Sequence, residues 1–176
     1  MNKFVCRIIC LWIGGVALGL WPIVSMASMS AVAQTSSASW KLPMLGGGQT
    51  SLAELRGSVV ALSFGATWCP PCRMELPALQ ALADKYQGKN VKVFWVSIDD
   101  RKVSDQQLAD FAQKLGLKVP ILRDVNQDVF SQFAQSSIPM LVVLDRQGNV
   151  VGKPHLGFSD KATYLENISA LIDSVL

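Results

Sequence analysis

Histidine is nearly absent from this chain of 176 residues, where it occurs once, as His155. Cysteine is also sparse: Cys6 and Cys10 lie in an N-terminal segment, and only Cys69 and Cys72 follow. Two thiolates would leave a tetrahedral zinc or copper site half filled, which disfavours a metal centre. Covalent haem attachment is excluded, because the residue after Cys72 is an arginine rather than a histidine. No second cysteine pair remains to cross-link the fold.

Charge of either sign is not in large excess. The 16 basic and 13 acidic residues give a net charge of +3, which falls to +1 if a leader carrying Lys3 and Arg7 is removed. There is no arginine-rich run and no clustered basic patch. A nucleic-acid partner is therefore not expected.

The chain has one long hydrophobic run, residues 8–24, which follows Lys3 and Arg7. Small and polar residues come next, and Ala31-Val32-Ala33 fits the cleavage pattern of a signal peptide. We therefore predict a signal peptide over 1–33, a linker over 34–39 and a folded domain over 40–176. An uncleaved inner-membrane anchor formed by residues 8–24 is the alternative, although this run is short for a span. Positive charge ahead of it predicts export, and hence a periplasmic or other extracytoplasmic domain.

The most informative motif is Trp68-Cys69-Pro70-Pro71-Cys72. An apolar, strand-like run precedes it at 59–64, and a helix-like run follows it at 73–86. A Cys-x-x-Cys between a strand and a helix is typical of a redox-active thiol pair. The free N–H groups and positive dipole at a helix N-terminus favour a thiolate there, and proline is tolerated in the first helical turn.

The rest of the domain alternates between strand and helix patterns. Ser51 and Ser104 each begin a capping box, strands are expected at 91–98 and 119–122, and a short helix at 128–134. A hairpin of 140–145 with 150–156 and a final helix ending at Val175 complete the pattern. This order predicts an α/β fold with a central mixed β-sheet flanked by helices. The cysteine pair would lie at the carboxyl end of a central strand.

Two segments carry a family resemblance. Residues 57–77 read GSVVALSFGATWCPPCRMELP, and residues 137–148 read SIPMLVVLDRQG. Over nearly all of 40–176, the chain resembles the exported TlpA/ResA-like thiol:disulfide oxidoreductases of the thioredoxin superfamily. The resemblance implies a thioredoxin fold with an added N-terminal hairpin and a helical insertion at about 99–128.

The resemblance also implies roles for the thiols. Cys69 would be an exposed nucleophile at the helix N-cap, and Cys72 a more buried resolving thiol. The redox-active Cys69–Cys72 disulfide would accept the electrons and its dithiol form would donate them, without a cofactor. Protein thiols and disulfides would be the partners, with a membrane thiol reductant restoring the dithiol, and cytochrome c maturation is the family's best-attested use. A disulfide oxidase or isomerase, or a copper-binding metallochaperone, are the alternatives. A peroxidase is not favoured, because no second cysteine or proline lies at the required spacing before the reactive thiol.

Further site residues are expected around the pair. Glu75 resembles the family's acid that handles protons near the thiols; the alternative is a glutamate that only interacts with the helix dipole. Ile138-Pro139 would form a cis peptide bond facing the cysteines, against which an extended substrate could lie. Trp68, Pro70 and Pro71 would shape the same substrate-binding groove, unless Trp68 belongs to the core.

Three positions depart from the family pattern. Ser63 stands where relatives often have a buried Asp or Asn, and Met140 replaces the usual threonine after the proline. Gly65 stands where an aromatic residue is common, and we expect it to leave a small cavity or room for a partner. Trp95 is assigned to the core, and His155 to a structural role.

Overall fold

The computed structural model describes residues 39–133 and 137–176. The predicted signal peptide or membrane anchor at 1–33 and nearly all of the predicted linker lie outside these residues. The elements, in chain order, are β1 (Lys41–Pro43), β2 (Gln49–Ser51), α1 (Leu52–Leu55), β3 (Val59–Gly65), α2 (Pro70–Lys85), β4 (Val91–Ser97), α3 (Asp105–Lys114), β5 (Ile121–Arg123), a 3₁₀ helix (Phe130–Phe133), β6 (Met140–Leu144), β7 (His155–Leu156) and α4 (Lys161–Asp173).

The main sheet has five strands in the order β5-β4-β3-β6-β7. The pairs β3–β4 and β4–β5 are parallel, whereas β3–β6 and β6–β7 are antiparallel. All seven residues of β3 are buried, as expected for a central strand that is covered on both faces. The predicted mixed sheet with flanking helices is therefore confirmed.

The two faces of the sheet are covered differently. Buried side chains of α2, α3 and α4 pack against one face, where they meet Val59 and Ala61 of β3. The other face, which includes Leu62 and Phe64, is covered by β1, α1 and the 3₁₀ helix. The expected helices thus lie on both faces, but the three long ones share one. For α2 and α3 the reason is the order of the strands. The connections β3-α2-β4 and β4-α3-β5 advance in the same direction across the sheet, and right-handed crossovers then place both of these helices on one side.

The predicted N-terminal hairpin is present as the antiparallel pair β1–β2. It reaches the main sheet at β5, where Met44 forms an isolated bridge with Leu122 and the Leu45 N–H donates to the Ile121 carbonyl at 2.9 Å. The predicted insertion at 99–128 contains α3 and β5. Both predicted capping boxes, at Ser51 and Ser104, are formed.

The predicted strand at 150–156 is shorter than expected. Only His155 and Leu156 form β7, and Val150 makes a single isolated bridge to Leu144. Gly152 between them has a φ of +67°, which leaves the extended region, and Pro154 has no N–H to donate to a neighbouring strand. Across residues 39–133 and 137–176, none of the helices has both the length and the hydrophobicity to cross a membrane.

Candidate active site

Cys69 and Cys72 form a disulfide at the start of α2, with a Cα–Cα separation of 5.3 Å. Cys69 is the N-cap residue, and the Cys72 backbone N–H lies 3.3 Å from the Cys69 Sγ atom. Pro70 and Pro71 occupy the first two helical positions, so the helix begins at Pro70 rather than Arg73. Because the two prolines have no N–H, the backbone N–H of Cys72 is the group of the first helical turn that the helix start brings to the Cys69 sulfur.

The expectation that Cys69 is exposed was wrong for this disulfide form. Its exposed fraction is 4%, and that of Cys72 is 0%. The Cys69 Sγ atom faces the segment before β6, where it lies 4.0 Å from the carbonyl oxygen of Ile138. The Ile138–Pro139 bond is cis, as the resemblance implied. Pro139 is buried and Ile138 half-buried.

The residues around the disulfide present an apolar surface to solvent. Trp68 is 66% exposed, which rules out the alternative that it belongs to the core. Met74, in the first turns of α2, is 62% exposed, and Pro70 and Pro71 are exposed as well. Exposed large side chains gathered around a reactive centre are typical of a surface that contacts another protein.

Glu75 is buried one helical turn after Cys72, with an exposed fraction of 1%. Its carboxylate accepts hydrogen bonds from the Ser63 hydroxyl of β3 at 2.9 Å and from the Tyr164 hydroxyl of α4 at 2.8 Å. Burial raises the pKa of the Glu75 carboxyl from 4.5 to about 7, although the bonds from Tyr164 and Ser63 oppose the shift. Glu75 is thus buried with both carboxylate oxygens paired, and its proton-handling role stays a prediction. The arrangement provides a group that can gain or lose a proton near neutral pH.

Asp99, which directly follows the strand predicted at 91–98, was not among the predicted site residues. Asp99 is fully buried, and its carboxylate accepts from the Thr67 backbone N–H at 3.1 Å and from the Thr67 hydroxyl at 2.8 Å. The Ser97 hydroxyl donates to the same carboxylate at 2.9 Å. Asp99 thus fixes the loop that carries Trp68 and Cys69. Its place directly after a buried strand, at the carboxyl edge of the sheet, was the available signal.

Gly65 leaves no cavity, so that expectation was also wrong. A Cβ atom built on Gly65 would lie 2.9 Å from the Trp95 Nε1 atom, 3.2 Å from the Cys72 Cβ atom and 3.4 Å from the Cys72 Sγ atom. Contacts below 3.0 Å require the neighbours to move. The indole of Trp95, from the adjacent strand β4, therefore occupies the space beside Cys72.

His155 is half-buried and its ring lies edge-on to Tyr164, with 5.7 Å between ring centroids. The structural role assigned to His155 stays a prediction. Among residues 39–133 and 137–176, no group of three or more histidine, cysteine or acidic side chains is placed to hold a metal ion.

A protein-family model for the AhpC/TSA family matches residues 34–153 of this sequence. The chain belongs to the AhpC/TSA family. Its relatives include the thioredoxin-like protein YneN of Bacillus subtilis (strain 168). YneN is 34% identical over 122 residues, which cover 69% of this chain and 70% of YneN. The thiol-disulfide oxidoreductase ResA of Bacillus thuringiensis (strain Al Hakam) is 32% identical over 107 residues, 61% of this chain. That match spans 60% of the length of ResA.

Among solved structures, the chain is similar to that of a candidate thiol:disulfide interchange protein DsbE from Chlorobium tepidum. It superposes with a TM-score of 0.67 at 27% identity, covering 77% of this chain and 94% of that one. The resemblance to ResA-like proteins and the thioredoxin fold are thereby confirmed. The described domain of this AhpC/TSA member is a thiol:disulfide oxidoreductase domain.

Proposed function

We propose that the whole protein acts outside the cytoplasm as a reductase of disulfides in protein partners, with Cys69 as nucleophile and Cys72 as resolving thiol. The observation that carries this proposal is the buried Glu75, which lies one helical turn after Cys72 and has a pKa of about 7. A base with that pKa is suited to removing a proton from a thiol near neutral pH.

The reaction exchanges two electrons between two pairs of sulfurs. In the dithiol form, the Cys69 thiolate attacks one sulfur of the partner's disulfide, and the partner's other sulfur leaves as a thiolate. The Cys72 thiolate then attacks Cys69, which forms the Cys69–Cys72 bond and releases the partner's first sulfur. The partner gains two electrons and two protons, and this protein returns to the disulfide form.

Glu75 handles the proton of Cys72 in the second step. The resolving thiol must ionise before it attacks, and it does so in a site that excludes water. The Glu75 carboxylate accepts that proton, and the hydrogen bonds from Ser63 and Tyr164 hold the carboxylate in place. When the disulfide is reduced again, the same group returns the proton.

The partner would bind across the exposed surface around the disulfide. In this proposal the partner contacts the exposed Trp68, Pro70 and Pro71 on one side of the disulfide and the half-buried Ile138, which precedes the buried Pro139, on the other. The Ile138 carbonyl oxygen, 4.0 Å from the Cys69 Sγ atom, is available to accept a main-chain hydrogen bond from an extended partner segment.

Continued turnover requires an electron donor. We propose a membrane thiol reductant in this role and cytochrome c maturation as the process, on the basis of the family resemblance and the relatives named ResA and DsbE. No cofactor is proposed, because the Cys69–Cys72 pair itself carries both electrons.

The experiment that tests the proposed direction is a measurement of the reduction potential of Cys69–Cys72 against dithiothreitol and glutathione buffers. A value of about −220 mV or lower is expected for a reductase of the thioredoxin kind. A value near about −120 mV would replace the proposal with a disulfide oxidase. Stoichiometric Cu(I) binding by the reduced protein, without any disulfide exchange, would replace it with a copper-binding module.

A further inference from the structure

Trp95 lies beside Cys72 with an unused hydrogen-bond donor. Its side chain is 0% exposed, and its Nε1–H has no acceptor among the described residues. Buried N–H groups are nearly always paired, because burial without a partner removes them from water at a cost in stability. An unpaired donor next to a redox-active sulfur therefore calls for a physical explanation.

The geometry at Gly65 relates this donor to the sulfur. The point at which a Cβ of residue 65 would stand is 2.9 Å from the Trp95 Nε1 atom and 3.4 Å from the Cys72 Sγ atom. The donor and the sulfur therefore border the same point, which no side-chain atom of residue 65 occupies. On its other side the indole stacks on Phe111 of α3, with 5.7 Å between ring centroids, which fixes its position.

We propose that the Trp95 indole N–H stabilises the Cys72 sulfur as a thiolate when the Cys69–Cys72 bond opens. When a reducing thiolate attacks Cys69, the bonding electron pair of the disulfide leaves with the Cys72 sulfur. A disulfide sulfur is a weak acceptor, whereas a thiolate is a strong one, so the indole N–H gains a partner only in the open form. The leaving group is stabilised, and reduction becomes more favourable.

The same contact acts in the opposite direction of the exchange. A hydrogen bond from Trp95 increases the fraction of Cys72 that is ionised and ready to resolve a mixed disulfide. Gly65 and Trp95 then act together. The aromatic side chain beside Cys72 comes from β4 rather than β3, and its N–H serves the resolving thiol.

Several titratable groups surround Cys72 and enter any pH-dependent measurement. Cys69 and Glu75 lie on the same helix, Tyr164 of α4 stands behind Glu75, and Asp99 holds the preceding loop. A negative Glu75 opposes ionisation of Cys72, whereas the indole N–H favours it. The two effects are separated by varying residue 95 while Glu75 is kept.

The first test is nuclear magnetic resonance of the protein labelled with ¹⁵N-tryptophan. The indole signal of Trp95, assigned by its loss in Trp95→Phe, is expected to move downfield on reduction. In reduced Cys69→Ser it is expected to titrate together with the Cys72 thiol. An indole signal that neither shifts on reduction nor follows that titration overturns the proposal.

The second test compares reduction potentials over a range of pH. Trp95→Phe is expected to shift the exchange equilibrium with glutathione about tenfold towards the disulfide, or about 30 mV, at pH values above the Cys72 pKa. The difference should vanish at lower pH, where Cys72 is protonated in both proteins. Phe111→Leu, which disturbs the same stack but keeps the N–H, is the matched control and should retain the native curve.

Gly65→Ala supplies a second variant if Trp95→Phe does not fold, because its methyl group would lie 2.9 Å from the Trp95 Nε1 atom, which must then move. It should also shift the equilibrium towards the disulfide. Equal shifts in Trp95→Phe and Phe111→Leu, or a shift independent of pH, would indicate a packing effect and overturn the inference. The inference requires a redox-active Cys69–Cys72 pair but not a particular direction of disulfide exchange. Failure of the native protein to exchange disulfides at all would therefore contradict the proposed function instead.

Discussion

The pKa of Glu75 determines how the stability of this domain depends on pH. In the unfolded chain the carboxyl titrates near 4.5, and burial moves its pKa to about 7 in the folded protein. Between these values the folded state keeps a proton that the unfolded state has released. Stability therefore falls as the pH rises through this range, and the full loss is present above pH 7. A shift of this size corresponds to about 3 kcal/mol.

Replacing Glu75 with glutamine should remove this dependence. Glutamine keeps the shape of the protonated acid: its carbonyl can accept from Tyr164, and the Ser63 hydroxyl can accept from its amide. In urea denaturation of the oxidised protein, Glu75→Gln should match the native protein below about pH 4.5. It should be more stable than the native protein by about 3 kcal/mol at about pH 8. The difference between the two curves isolates Glu75 from all other titrating groups.

Glu54→Gln is the matched control, because Glu54 is exposed in the capping box of α1 and glutamine also completes such a box. This variant should retain the native fall in stability with pH. Parallel curves for the native protein and Glu75→Gln between about pH 5 and pH 7 would refute the argument that burial controls this carboxyl.

Three further substitutions test the surroundings of the thiols. Tyr164→Phe removes a hydrogen bond that lowers the pKa of Glu75 in the folded protein, so the fall in stability should continue to a higher pH in the same urea experiment; an unchanged upper limit would contradict this. Asp99→Asn weakens the acceptor for the Thr67 loop and should lower the free energy of unfolding by about 2 kcal/mol, with faster amide exchange at Thr67. Retained protection there would show that the loop does not depend on the carboxylate. Trp68→Ala should change stability by no more than about 0.5 kcal/mol, because the side chain is mostly exposed. It should slow exchange with a protein disulfide but not with dithiothreitol, and equal slowing of both would contradict a partner-binding role.

The elements of the fold were predictable where the local sequence decides them. The continuous apolar run of β3 predicted a strand buried on both faces, and Ser51 and Ser104 predicted helix starts through their capping boxes. β7 was overpredicted, because the apolar pattern of 150–156 hides the backbone effects of Gly152 and Pro154. Here two residues that interrupt the extended chain outweighed the hydrophobic pattern.

The surroundings of the site were less predictable, because they depend on residues that are distant in sequence. Spacing placed Glu75 one turn after Cys72, but its burial depends on Ser63 and on Tyr164, which is 89 positions further along the chain. The same holds for Trp95, which the sequence correctly assigned to the core. Only the packing of β4 beside β3 brings its indole nitrogen and Cys72 to the same point at Gly65.

Both borders of the main sheet are protected against strand addition. At one border the N-terminal hairpin attaches to β5 through Met44 and Leu45, and at the other β7 offers only two residues. Long free edges recruit extended chains indiscriminately. A protein that meets incompletely folded partners would otherwise risk co-aggregating with them. With one border covered by the hairpin and the other only two residues long, the main sheet offers such partners little edge to which they could add a strand.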